Sequence, residues 1–321
     1  MGELRKHYFL EKYVEISEDR GKRPHEYDNH GPDKKKNLSV IDHNCPFCPG
    51  NEKSAPPEKG RIGNPWRMRW FSNKFPAVSK EGQSKLLTDN NFFTYSSNYG
   101  EHEVIVNVRE HNRDISMLSI SELNKLIAVY ESRIDDLSSP DDIDYVSVFK
   151  NDGEKAGASL VHDHSQVISL NFLPPKIKRE YNYIKNYDGC PHCDVINIEK
   201  NSHRKCFENN HAVAFTPYAS LFPYEIWLYS KRHINRFKEL SRDELNDFSS
   251  IFKKILRKLR SFHSSYNYYI KYGDDENDMH SHIVFTPRLA QWAGFEFSTG
   301  VTINSISPEV AASFYRGDNS N

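Results

Sequence analysis

Two pairs of cysteines set the chemistry of this chain. Cys45 and Cys48 form one Cys-x-x-Cys and Cys190 and Cys193 another; each pair is followed by a lone histidine, His111 or His233, and then by a His-x-His, His162/His164 or His280/His282. Zinc binds thiolate and imidazole tetrahedrally, and two cysteines from one knuckle with two histidines from strand ends make a closed ligand set. The spacing assigns Cys45, Cys48, His111 and His162 to one zinc site and Cys190, Cys193, His233 and His280 to a second. A single Cys-x-x-Cys also suits a redox pair or two packed thiols. Two copies in register with histidines favour metal over disulfides, in a reducing compartment. Cys206 has no partner in this scheme and is expected to be an inert thiol.

The histidine that each His-x-His does not give to the metal is the candidate for reaction. On a strand, period-two alternation puts His162 and His164 on one face, so a metal at His162 would fix the position of His164. A neutral imidazole held in this way is a nucleophile toward phosphorus, provided that other groups neutralise the phosphate oxygens. The segment Asn151-Asp152-Gly153-Glu154-Lys155-Ala156-Gly157-Ala158-Ser159 is small and glycine-bearing, suited to bringing backbone amides and Ser159 against a phosphate. Gln166 shares the face of His164 and can donate an amide hydrogen bond to a phosphoryl oxygen. In the second copy the acidic run Gly273 to Asp278 would repel a phosphate, and Ile283 and Val284 replace Ser165 and Gln166. The chemistry is therefore assigned to the first copy. His282 remains a substrate contact, an extra metal ligand or a packed residue, with the non-catalytic readings preferred.

The elements that position these residues repeat in step with them. Glu103 and Glu225 each precede the lone histidine by eight residues, Ser119 and Ser241 each follow it by eight, and Glu122 and Glu244 come three later. Ser-x-x-Glu ahead of an apolar periodic run is a capping box. Helical spacing of Leu123, Leu126, Ile127, Tyr130, Ile134 and Leu137, and of Leu245, Phe248, Phe252, Ile255, Leu256 and Leu259, predicts one main helix per copy. Strands are predicted at Tyr13 to Ile16, Val104 to Val108, Tyr145 to Phe149, Val161 to Leu170, Glu225 to Tyr229, Tyr268 to Ile270 and His280 to Thr286. Residues 15 to 64 otherwise read as an irregular arm ordered by metal, and Lys176 to Tyr187 as a charged connection. In the tail, Gly294 to Glu296 reads as a loop, Thr299 to Asn304 as a strand, and Ser307-Pro308 as a helix start. The fold class is α+β: two units with antiparallel or mixed sheets, one main helix packed on each.

At 321 residues the chain has the length of about two domains or of one duplicated domain with a joint core. Its 43 Lys and Arg balance 44 Asp and Glu, so no basic field exists to hold nucleic acid, and small-molecule partners are expected. No segment has the roughly 18 uninterrupted apolar residues of a membrane span, and the N-terminus lacks a signal peptide's apolar core. A soluble, cytoplasmic protein without membrane or nucleic-acid partners is expected.

These motifs resemble the galactose-1-phosphate uridylyltransferase family, the two-repeat transferase branch of the histidine-triad superfamily, from about Tyr13 to Phe314. The likeness rests on Arg20-Gly21-Lys22-Arg23-Pro24, Cys45-Pro46-Phe47-Cys48, Asn73-Lys74-Phe75-Pro76, Phe149-Lys150-Asn151, Gly157-Ala158-Ser159, His162-Asp163-His164-Ser165-Gln166 and Gly294-Phe295-Glu296. It implies tandem histidine-triad-like repeats, residues 1–175 and 176–321, and a ping-pong reaction. His164 would take a nucleoside monophosphate from a nucleotide sugar as a phosphoramidate, and a sugar 1-phosphate would then accept it. By position, Arg20 and Arg23 would meet phosphate, Asn73 the nucleoside, Asn151, Gly157, Ser159 and Gln166 the phosphates, and Glu296 the hexose. Members are often dimers, so a homodimer is implied as well. Asp163 departs from the Pro or Ser of many members and is expected on the opposite strand face. The second cysteine pair and Phe295 to Gly300 are closer to the branch that includes plant ADP-glucose phosphorylase, where AMP is carried and phosphate accepts it. The expected reaction is uridylyl transfer between UDP-glucose and a hexose 1-phosphate. Phosphorolysis of an ADP-sugar, a histidine-triad hydrolase and a zinc-structured binding protein are the alternatives.

Overall fold

Each Ser-x-x-Glu box starts a helix. Ser119 Oγ accepts from the Glu122 amide while the Glu122 carboxylate accepts from the Ser119 amide, and Ser241 with Glu244 repeats the exchange. Amides that a helix start leaves orphaned are thereby satisfied. The structure, a computed structural model, describes residues 2–22, 38–274 and 276–318.

In chain order the strands are β1 (Glu3–Lys6), β2 (Tyr13–Ile16), β3 (Glu58–Ile62), β4 (Met68–Ser72), β5 (Leu87–Thr88), β6 (Thr94–Tyr95), β7 (His102–Val106), β8 (Tyr145–Asp152), β9 (His164–Leu170), β10 (Lys205–Glu208), β11 (Ala212–Phe215), β12 (Ile226–Ser230), β13 (Tyr266–Lys271), β14 (His282–Pro287) and β15 (Thr302–Asn304). The helices are α1 (Ile120–Ser138), α2 (Pro175–Lys185), α3 (Pro191–Glu199), α4 (Arg242–Ser261), α5 (Gly294–Thr299) and α6 (Pro308–Arg316). The described residues of Lys34–Lys150 and Leu160–Lys178 make one compact unit, here the first-copy unit; those of Met1–Asp33, Asn151–Ser159 and Arg179–Asn321 make the second-copy unit. These units do not follow the division into 1–175 and 176–321 along the chain. β2 pairs in parallel with β15, and Asn267 holds the turn after Asn151, so both segments go with the second copy.

Within the first-copy unit the antiparallel strand order is β3-β4-β7-β9-β8. Within the second-copy unit it is β10-β11-β12-β14-β13. The two orders match strand for strand, which is the duplication in backbone form. All six apolar positions predicted for α1 are buried and the helix packs on β9, whereas α4 packs on β11 and β12 with Leu245 half-buried. Each fully buried apolar side chain of this kind contributes about 2 kcal/mol.

Mixed pairing occurs in β1-β2-β15, where β15 runs parallel to β2. The irregular arm is corrected at its end, where Glu58–Ile62 forms the edge strand β3 with alternating half-buried and exposed residues. The charged connection is corrected to helix α2, because Ile177, Tyr181 and Ile184 bury one helical stripe that the surrounding lysines obscure. Gly294 to Glu296 opens the short helix α5 rather than a loop. The His-x-His strands begin later than predicted, at His164 and His282, because the first histidine of each pair turns off the ladder toward the cysteines. No helix among the described residues is long and apolar enough to cross a membrane.

Candidate metal clusters and reactive histidine

Cys45, Cys48, His111 and His162 converge, as do Cys190, Cys193, His233 and His280, with the ligand atoms of each group within 4.8 Å of one another. In the first group Cys45 Sγ lies 3.6 Å from His162 Nδ1, and Cys48 Sγ lies 3.4 Å from His111 Nδ1 and 3.5 Å from His162 Nδ1. Tetrahedral coordination with usual zinc bond lengths puts sulfur and nitrogen about 3.6 Å apart, so the donor set fits zinc. The second group gives 3.5 and 3.6 Å from Cys193 Sγ to His233 Nδ1 and His280 Nδ1.

Outer hydrogen bonds fix which ring nitrogen faces the thiols. His162 Nε2 donates to the Val108 carbonyl at 2.9 Å, leaving the lone pair on Nδ1. Burial pushes His162 down to about 4, so its imidazole is neutral, as a ligand must be. His280 Nε2 lies 3.1 Å from Ser230 Oγ, whose own proton goes to the Arg232 carbonyl, and His233 Nε2 lies 2.9 Å from Asp278. The thiols differ: burial pushes Cys45 up to about 11, whereas hydrogen bonds from Cys193 and then the two rings pull Cys190 down. The first cluster is buried throughout and the second has three half-buried members. Cys206 is buried, and burial raises its thiol.

His164 is 6% exposed, and its Nδ1 lies 2.8 Å from the His162 carbonyl oxygen. A carbonyl only accepts, so Nδ1 carries the proton and the lone pair is on Nε2. Phe47, from between the cysteines of the knuckle, sets a ring edge-on against it at 5.3 Å. Asp163 faces away from His164, as expected: its carboxylate accepts from Asn107 Nδ2 at 2.8 Å and pairs with the buried Lys150 at 2.9 Å. Lys150 also donates to the His164 carbonyl at 3.3 Å. A charge that would oppose phosphate is thus neutralised behind the strand. Ser165 is buried against Tyr130 Oη and Asn107, whereas Gln166 is half-buried and bonded through Oε1 to His102 Nε2 at 2.9 Å.

Asn73 belongs to the same unit as His164 and Gln166, its Oδ1 accepting from the Phe75 amide at 2.9 Å. Asn151, Gly157 and Ser159 belong to the second-copy unit. The turn there is corrected in one respect. Its amides, expected to meet phosphate, close the turn itself: Ala156 and Ala158 donate to the Gly153 carbonyl and Gly157 to that of Glu154. Gly157 sits at φ +85, a conformation that favours glycine. Ser159 is exposed, and Asn151 Oδ1 accepts from Asn267 Nδ2 at 2.8 Å, which turns the Asn151 amide group outward from that bond. Asn267, which also donates to the Ala156 carbonyl, carried no signal in the sequence. Arg20 lies in the turn Glu18–Lys22. The Ala293 amide, with a smaller contribution from the Arg20 charge, holds Glu296 below the usual carboxylate range. Arg23 lies outside the described residues.

In the second copy His282 repeats the contact to the preceding histidine, Nδ1 to the His280 carbonyl at 2.9 Å. Its ring is fully buried, stacked on Tyr229 at 4.4 Å and 5.0 Å from His192. Within the acidic run Asp278 holds His233, and Asp274 organises its own turn through Asn277.

The family model for the N-terminal domain of galactose-1-phosphate uridyl transferase matches residues 2–174, and that for the HIT domain matches residues 199–287. An ADP-glucose phosphorylase of Arabidopsis thaliana is 30% identical over 331 residues, 98% of this chain and 92% of that one. A galactose-1-phosphate uridylyltransferase of Thermotoga maritima is 29% identical over 84% of this chain and 87% of its own. The crystal structure of an ADP-glucose phosphorylase from Arabidopsis thaliana with bound ADP-glucose superposes with a TM-score of 0.84 at 29% identity, covering 100% of both chains.

Proposed function

Because the chain belongs to the galactose-1-phosphate uridyl transferase family, we propose that it is a nucleotidyltransferase of nucleotide sugars with His164 as the nucleophile. The observation that carries this reading is the bond from His164 Nδ1 to the His162 carbonyl, which puts the proton on Nδ1 and the lone pair on Nε2, the tautomer that a nucleophile toward phosphorus needs. Nε2 attacks the α-phosphorus, a P–N bond forms, the P–O bond to the sugar phosphate breaks, and the leaving phosphate carries away the electron pair. An oxygen of the incoming acceptor then attacks phosphorus and returns the imidazole. The Nδ1–H bond to the carbonyl persists through both steps and stabilises the positive charge that the ring gains. Gln166 and Ser159 donate to phosphoryl oxygens, Asn73 and Asn151 hold the nucleotide, and Arg20, Arg23, Gly157 and Glu296 complete the substrate set. Zinc held by the two Cys2His2 groups supplies structure, tying the knuckles to the sheets; the reaction uses the side chains.

We read the donor as UDP-glucose and the acceptor as a hexose 1-phosphate, because curated relatives from bacteria, yeasts and the rat carry uridylyltransferase names. Transfer of AMP from ADP-glucose to phosphate is the second reading, supported by the full-length likeness to ADP-glucose phosphorylase. Incubation with radiolabelled UDP-glucose or ADP-glucose separates them. One donor should leave an acid-labile label on the protein, and the label should vanish in His164→Asn. No label from either donor on folded, zinc-loaded protein would defeat the mechanism.

A further inference from the structure

Gln166 helps a phosphate only if its carboxamide presents nitrogen rather than oxygen. The two ends are nearly equal in size, so the choice falls to a neighbouring group with a fixed proton. That neighbour is His102, the first residue of β7, on the strand whose Val104 is the register partner of Gln166. The Ala77 backbone amide lies 3.1 Å from His102 Nδ1 and can only donate, so Nδ1 holds the lone pair and the proton is on Nε2. Nε2–H in turn donates to Gln166 Oε1 at 2.9 Å. With its oxygen engaged, Gln166 has its amide nitrogen left for a ligand, and no acceptor for that nitrogen lies within hydrogen-bond reach among the described residues.

The same imidazole lies beside Asn73, whose orientation the Phe75 amide sets. Asn73 Nδ2 lies 3.2 Å from His102 Nε2, a meeting of two donors that makes no bond, while Asn73 Oδ1 accepts from the Phe75 amide. The Asn73 backbone amide donates to the His102 carbonyl at 2.7 Å. His102 therefore fixes the oxygen end of Gln166 and leaves the Gln166 nitrogen for other acceptors, whereas the Phe75 amide sets the orientation of Asn73. It is 8% exposed, and burial lowers its basicity, which keeps the ring in the neutral form this relay needs.

We infer that His102 is a positioning residue for nucleotidyl transfer: relayed from the Ala77 amide, it orients Gln166 to donate to the nucleotide. The inference rests on the proposed role of Gln166, and a double-mutant cycle keeps the two apart. The readout is the single-turnover rate of protein labelling at saturating radiolabelled donor, for the wild type, His102→Ala, Gln166→Ala and the double variant, with zinc content and melting temperature followed in each. Gln166→Ala and His102→Ala should each slow labelling by about tenfold. In the Gln166→Ala background His102→Ala should add less than about twofold. His102→Gln, which can accept at one end and donate at the other, should recover part of the rate, and it replaces His102→Ala in the cycle if the alanine variant does not fold. Losses that multiply, or a His102→Ala rate equal to wild type beside a slow Gln166→Ala, would overturn the positioning role. A Gln166→Ala rate equal to wild type would instead remove the proposed role of Gln166, and the positioning role with it, while leaving His164 untouched.

Discussion

Val106 and Tyr229 hold the same place in two sheets of identical strand order, and each faces a histidine across the ladder. Val106 is the register partner of His164, Tyr229 that of His282. Both histidines bind the carbonyl two residues back through Nδ1, so both carry the same tautomer. Opposite a valine, His164 has the edge of Phe47 against it at 5.3 Å. Opposite a tyrosine, His282 stacks face to face at 4.4 Å, with His192 and Trp227 at 5.0 and 5.7 Å, and its Nε2 is buried without a hydrogen-bond partner. One sheet position thus sets a valine against one histidine and a stacked tyrosine against the other. Duplication kept the Cys2His2 grouping in both copies, whereas the cross-strand neighbour differs.

The comparison can be broken most severely at the two histidines themselves. His164→Asn should reduce turnover by about a thousandfold or more, while His282→Asn should leave turnover within a few-fold on the fraction that folds; comparable losses in steady-state assays would erase the distinction. The metal clusters come next. Elemental analysis should give two zinc ions per chain, matching the two Cys2His2 groups, and zero would remove the metal reading. Cys48→Ala should cost more stability than Cys190→Ala in urea unfolding, because the first cluster is wholly buried and the second is three-quarters half-buried.

Lys150→Met tests what lies behind His164. It would leave the Asp163 carboxylate buried without its cation, at a cost of about 3–5 kcal/mol, and Asp163→Asn in the same chain should restore part of the loss. An unchanged urea midpoint would mean that the pair does not hold the strand. The smallest expected effect belongs to Tyr229→Val, which imports the first copy's neighbour into the second. It should cost about 2–4 kcal/mol through the cavity it leaves, and labelling should stay confined to His164. Label at His282 in that variant would show that the aromatic cage alone silences the second copy.

Local signals carried most of what the chain revealed. The cysteine knuckles, the eight-residue spacings, the capping boxes and the apolar stripes of α1 and α4 each lie within a few turns of chain, and the turn of Asp163 away from His164 follows from period-two alternation. What stayed hidden depends on pairing between distant residues. Val106 against His164, Tyr229 against His282, His102 against Gln166 and Asn267 against Asn151 are fixed by register or by the fold around them, which spacing does not encode. The edge strands β3 and β10 hold few apolar residues among charged ones, so their sequences show no apolar alternation, and α2 hides a three-residue apolar stripe among lysines and tyrosines. The acidic run before His280 was legible as charge, but its use as a partner for His233 was not.

Mapping the modified residue tests the central claim most directly. The protein is incubated with the donor that labels it, quenched at alkaline pH where a phosphoramidate survives, digested, and fragmented in a mass spectrometer. A nucleoside monophosphate on His164, with His162 and His282 unmodified, is the result expected of two copies that share a metal frame and differ in the ring opposite the histidine. Modification of His282 or of any residue other than His164 would contradict it.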